Sequence, residues 1–171
     1  MSSYSKLIIF IVVLVLISAA VLFIDSSTDN INKVMPEISD GIVQGDKDYN
    51  EAVDLDNDKN FHESMHKAES AGDNYNKSLL NLREIQNNFS ADVNSVHKEY
   101  ISNTINEVEL KLKAVDLLKD AIECFEVYSN YTGSNYGFEA NDAMNQALEY
   151  QHQRDSIVSD NPNLFKQKFI M

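Results

Sequence analysis

The sequence predicts an all-α protein: an N-terminal transmembrane helix followed by an elongated antiparallel bundle of about four helices. Three observations predict it. Residues 7–24 carry no charge, apolar residues further on recur at alternating steps of four and three, and no stretch shows the period-two alternation of a half-buried strand. The expected division is a membrane anchor over 1–24, a juxtamembrane segment over 25–36, an acidic helical bundle over 37–158 and a C-terminal tail over 159–171.

The apolar stretch reads LIIFIVVLVLISAAVLFI between Lys6 and Asp25. A helix of that length spans about 27 Å, close to the hydrocarbon thickness of a bilayer. Ser18 and Ala20 offer a small-residue cleavage site, but cutting there would leave Val21-Leu22-Phe23-Ile24 at the new terminus. An uncleaved signal-anchor is therefore the preferred reading. Lys6 flanks one side and Lys33 is the nearest cation on the other, which favours a cytoplasmic N-terminus and an extracytoplasmic remainder in the cell membrane. Sequons at Asn76, Asn88 and Asn130 are compatible with that side but are common in so Asn-rich a chain.

The bundle is read from its stripes and breaks. Pro36 suits the first turn of a helix over 37–55 carrying Ile38, Ile42, Tyr49 and Val53. Asp54 to Asp58 reads as a turn. Phe61, Met65, Ala68, Gly72, Tyr75, Leu79 and Leu82 form the stripe of a helix over 58–87. Asn87 to Ser90 is a break, with Ser90 a candidate N-cap and Asp92 favourable in the first turn. A third helix, over 91–129, carries Ile101, Ile105, Val108, Leu112, Val115, Leu118, Ile122 and Phe125, broadened by Tyr100, Leu117 and Ala121. SNYTGSNYG, residues 129–137, reads as the clearest loop, followed by a last helix over 138–158. The two middle helices are expected to pair as the long hairpin, with the shorter outer two packing at the end that holds residues 56–60. The tail could dock through Leu164, Phe165 and Phe169.

Phe61, Ser64, Ala68 and Ala71, coming after a helix and a turn, resemble the second helix of a tetratricopeptide repeat. The resemblance covers one repeat; the preceding helix lacks the small-residue-and-Tyr pattern, and the later helices exceed the repeat of about 34 residues.

Net charge is −13, and only Lys6 is charged before Asp25, so the acidity belongs to the bundle. That excess excludes nucleic acid and broad contact with anionic headgroups as partners, and suits cations or basic partners. The lone Cys124 allows no intrachain disulfide.

One stretch carries recognisable chemistry. His62-Glu63-Ser64-Met65-His66 spells H-E-x-x-H, which on a helix can hold zinc between the histidines with the glutamate as base. The extended motif is absent, because Glu69 and Gly72 stand where Gly and the third His belong. A downstream ligand would have to be Glu84 or Glu99. With Phe61 and Met65 facing inward, His62 lies at the bundle edge and His66 outside it. Asp54, Asp56, Asp58 and Asn60 alternate as in a calcium loop, but Lys59 and Met65 occupy its Gly and Glu positions. Tyr128, Tyr131 and Tyr136 crowd the 129–137 stretch and either cap the bundle end or offer a contact surface. His97 and His152 have no partner visible in the sequence.

The leading expectation is a non-enzymatic, membrane-anchored helical bundle with an interaction, scaffold or contact-sensing role and no cofactor. It meets the bilayer through residues 7–24 and meets a protein partner or a second copy of itself through the bundle. The alternative is a zinc-dependent peptidase using His62, Glu63 and His66, with Glu84 as a third ligand.

Overall fold

Met35, Ile38, Ile42, Tyr49 and Ala52 recur at helical spacing and are all buried, so they form the inner edge of α1 (Asp29–Asn57). The computed structural model describes residues 21–23, 29–89 and 93–167. Three further helices follow: α2 (Phe61–Asn87), α3 (Ser95–Glu126) and α4 (Asn130–Asp160). Short links alternate their direction. α1 packs on α2, α2 on α3, and α3 most extensively on α4, with a lighter contact between α1 and α3. The result is an antiparallel helical bundle. The links 58–60 and 127–129 lie at one end, called the far end below; the 88–94 link, Asp29 and Asp160 lie at the other.

Several boundaries differ from expectation. α1 starts at Asp29, takes in most of the supposed juxtamembrane segment, and holds Pro36 inside rather than in its first turn. Met35 explains this, because it continues the buried stripe back past the proline. α3 is capped by Asn94, whose side chain accepts from the Val96 amide at 2.8 Å, rather than by Ser90. Ser90 and Asp92 lie outside the described residues. The outer helices are not the shorter pair: α1 and α4 have 29 and 31 residues against 27 and 32 for α2 and α3. SNYTGSNYG is not a loop either, since all but its first residue belong to α4.

Two short strands, β1 (Val21–Phe23) and β2 (Phe165–Gln167), pair antiparallel, with Leu22 opposite Lys166. Val21–Phe23 was expected to close the anchor helix and is extended instead, its backbone groups paired with the tail. Residues 7–20 of the expected anchor lie outside the described residues, and no helix among the described residues is long and apolar enough to cross a membrane. The tail docks through Phe165, which meets His97 edge-on at 5.2 Å and Tyr100 at 5.4 Å. Leu164 is half-buried against the core, and its carbonyl oxygen lies 3.4 Å from His97 Nε2. Phe169 is outside the described residues.

Small residues set how closely α1 and α2 approach. Ser64 donates to the Ala52 carbonyl at 2.7 Å and Ser78 to the Ile38 carbonyl at 3.1 Å, stitching the two helices at both ends of their contact. Gly45 has no room for a side chain: a Cβ there would sit 2.5 Å from the Tyr75 ring.

That ring opens onto a cluster of buried charge joining all four helices. Tyr75 donates to Asp46 Oδ1 at 2.6 Å, and Lys111 Nζ donates to both Asp46 oxygens at 2.6 and 2.8 Å. Lys111 also pairs with Glu107 at 3.1 Å, and Glu107 pairs with Arg154 of α4 at 3.0 Å. Neither Glu107 oxygen is aligned as a hydrogen bond, so these two contacts are ion pairs by distance. All four charged groups are buried, and two carboxylates balance two cations. Tyr75 and Tyr100 present their rings to Lys111 and Arg154, each at 5.8 Å. Charge taken this far from water is tolerated only when paired.

Burial alone would lower the Lys111 pKa, but Asp46 and Glu107 outweigh it and hold it above the ordinary 10.5. Burial pushes the Tyr75 hydroxyl well above 10.0, and the Asp46 carboxylate pushes the same way. Both groups bind their protons more tightly folded than unfolded. Their contribution is therefore fully present below about pH 10 and is lost as pH rises through the raised values.

In urea titrations, Lys111→Met is expected to cost about 3–5 kcal/mol, because it strands the buried Asp46 carboxylate and leaves Glu107 with Arg154 alone. Wild-type stability should fall above about pH 10, and less steeply in Tyr75→Phe. Gly45→Ala should cost about 1–3 kcal/mol through overpacking. Gly137→Ala, where a Cβ meets nothing within 4 Å, should cost nothing.

Candidate functional site

The first turns of α2 carry the H-E-x-x-H stretch. His62 and His66 are exposed, their rings 4.6 Å apart and edge-on. His66 Nδ1 lies 3.6 Å from Glu69 Oε2, and Glu63 accepts from the Asn60 side chain at 2.6 Å. The inward positions are Ser64 and Ala68, while Phe61 and Met65 are half-buried. The helix is thus turned slightly from the expected register, because Ser64 is drawn inward to the Ala52 carbonyl. Helical spacing brings the two histidines and Glu63 together. It does not bring Glu84, which lies further along the same continuous helix, about 27 Å from His66. Glu99 is on α3, beyond the 88–94 link at the opposite end of the bundle. Among the described residues no group of three His, Cys, Asp or Glu side chains could hold a metal ion.

The acidic alternation is divided by a helix terminus. Asp54 and Asp56 belong to α1, where positions two apart project in nearly opposite directions, and Asp58 follows in the link. Asp56 is half-buried, and burial raises its carboxyl above the ordinary 3.8.

The far end shows how both hairpins turn. The Asn60 amide donates to the Leu55 carbonyl and Lys59 to that of Asp56; in the second hairpin Ser129 donates to Cys124 and Tyr128 to Phe125. These paired bonds are the Schellman pattern, which closes a helix through one left-handed residue, usually glycine. Here that residue is Lys59 or Tyr128, each at φ 61°. A left-handed non-glycine residue costs about 1–2 kcal/mol.

Tyr128 is also 89% exposed, and around it Val127, Tyr131 and Phe138 are 72%, 82% and 70% exposed. Tyr136 is half-buried. The chain turns within Val127–Ser129, and α4 starts at once because Gly133 seats against the Phe125 ring, where a Cβ would stand 2.8 Å away. Tyr131 is thereby placed on the first turn of a helix. Cys124 is half-buried in the last turn of α3. Acidic side chains fence the patch: Glu123 and Glu126 before it, Glu139 and Asp142 after it, all exposed. No Lys or Arg occurs from residue 120 to 153.

No protein-family model, curated protein or solved structure matches the chain.

Sequence reasoning singled out Tyr128 and Tyr131 but missed Val127, Phe138 and the acidic fence. The run free of Lys and Arg was the available signal. Elemental analysis of the full chain after mild dialysis is expected to find zinc well below one equivalent, unchanged by His66→Ala. Stoichiometric zinc lost in that variant would restore the metal reading.

Proposed function

We propose that the chain is a non-enzymatic contact module. The apolar segment ahead of β1 tethers it as a single-pass anchor in the cell membrane, with the N-terminus cytoplasmic and the bundle extracytoplasmic. The far end meets a protein partner.

One observation carries this reading. Of the five large apolar side chains exposed among the described residues, Val127, Tyr128 and Tyr131 sit at the α3–α4 link, Phe138 follows two turns along α4 on the face of Tyr131, and only Leu80 lies elsewhere. Scattered apolar exposure is ordinary, whereas a concentrated patch rich in aromatics is the composition of an interface core. Its position supports the same reading. Asp29 and the docked tail are at the opposite end, and α3 alone, with 32 residues, separates the two by about 48 Å. A tether at one end and a patch at the other would hold the aromatics well clear of a membrane surface.

Two measurements test it. Alkaline carbonate extraction should leave the full chain in the membrane fraction; release into the soluble fraction contradicts the anchor. A photo-reactive residue replacing Tyr131 should give a discrete adduct in native membranes, and the same residue replacing Glu84 should not. Equal labelling at both positions, or none at either, contradicts the contact surface.

A further inference from the structure

We infer that the far-end patch docks a cationic segment of another protein, one that alternates Arg or Lys with apolar side chains. The inference rests on the contact-module reading and adds the chemistry of the partner.

Unpaired acidity is the first ground. Three surface acids elsewhere meet cations across helix boundaries, Glu37 with Lys77 at 2.8 Å, Glu51 with Lys67 at 2.9 Å and Glu109 with Arg83 at 2.8 Å, and unpaired ones such as Asp73 and Asp116 keep a lysine within about one helical turn in sequence, at Lys77 and at Lys113 and Lys119. Glu123, Glu126, Glu139 and Asp142 have no ion-pair partner among the described residues, and the chain supplies no Lys or Arg from 120 to 153 to provide one. Their placement is locally unfavourable too. Glu123 and Glu126 close α3, whose carbonyl end is the negative pole of its dipole and favours cations.

The aromatic groups are the second ground. Tyr128 keeps a bulky ring at a left-handed position where glycine is ordinarily found, and directs it into solvent. Aromatic faces attract guanidinium and ammonium groups, and an acidic surround strengthens that attraction. Apolar contact with Val127 and Phe138 would supply the desolvated centre, and the glutamates the polar rim.

The same charge excludes the other occupants. A symmetric contact with a second copy would set the acidic fence against itself. Anionic lipid headgroups and nucleic acid are repelled for the same reason.

The test uses the full chain in nonionic micelles, titrated with a short peptide of alternating arginine and tyrosine and with its glutamate–tyrosine counterpart, empty micelles being subtracted. The arginine peptide should bind, losing about tenfold in affinity between low and moderate salt, and the glutamate peptide should not. Tyr128→Ser with Tyr131→Ser should abolish binding. Glu123→Gln with Glu126→Gln and Glu139→Gln should weaken it about fivefold or more, while helicity and the urea midpoint show that the variant remains folded. Equal binding of both peptides, or binding unchanged in the tip variants, overturns the inference. So does a concentration-dependent dimer lost in Tyr128→Ser, which would make a second copy the occupant. A Tyr131 adduct in membranes without affinity for the arginine peptide overturns the cationic partner and leaves the contact module standing; absence of the adduct overturns both.

Discussion

The pairing of Asp46, Lys111, Glu107 and Arg154 constrains the rest of the bundle. The four buried groups are spread over three helices: Asp46 on α1, Lys111 and Glu107 on α3, Arg154 on α4. Apolar stripes tolerate small slides of one helix along another, because a methyl group finds a neighbour in several registers. A buried carboxylate does not, because displacement by one turn, about 5.4 Å, leaves it without its cation in a medium that cannot solvate it. The cluster therefore selects one register among several that the stripes would allow. Tyr75 of α2 completes it by holding Asp46 at 2.6 Å, and Gly45 makes room for the ring to reach.

Around that cluster the helix contacts are made largely by small residues. Ala68, Ala71 and Gly72 on α2 and Gly133, Ala140, Ala143 and Ala147 on α4 are among the buried positions of their helices. Close approach lets serine hydroxyls reach the carbonyls of the neighbouring helix, as at Ser64 and Ser78. A second polar group reinforces the α1–α2 contact. Asp48 accepts from Ser70 at 2.8 Å, Gln44 at 3.1 Å and Asn74 at 3.2 Å. A frame pinned at mid-length in this way supports a far end whose own features are locally costly: a left-handed tyrosine, acids at a helix carbonyl end and solvated aromatic rings.

Most of the helical architecture was legible in the sequence. The stripe from Phe61 to Leu82 and that from Ile101 to Phe125 gave the two middle helices, and the break near Asn88 separated them. The charged cluster was not legible. Glu107 and Lys111, four apart on a helix, have the spacing of an ordinary solvated ion pair. Only the breadth of the α3 stripe, with Tyr100 and Ala121 beside the main line, hinted that this helix is covered on more than one side. The start of α4 was missed because Ser, Asn and Gly are turn formers by local preference, and packing of Gly133 on Phe125 overrides that preference. Small residues at 133, 140, 143 and 147 mark a helix face that a search for large apolar side chains passes over. Of the candidate sites, the histidine pair was placed at the surface from register alone. The acidic fence at the far end went unnoticed because each glutamate taken singly is unremarkable.

The measurement that bears most directly on the account is a double-mutant cycle between Asp46→Asn and Lys111→Met, read from urea unfolding of the full chain. Strong coupling is expected: the double variant is more stable than the sum of the two single losses allows, by about 2 kcal/mol or more, because removing both partners leaves no stranded charge. Additive losses would show that these residues act independently, and that the buried charge does not set how the helices align.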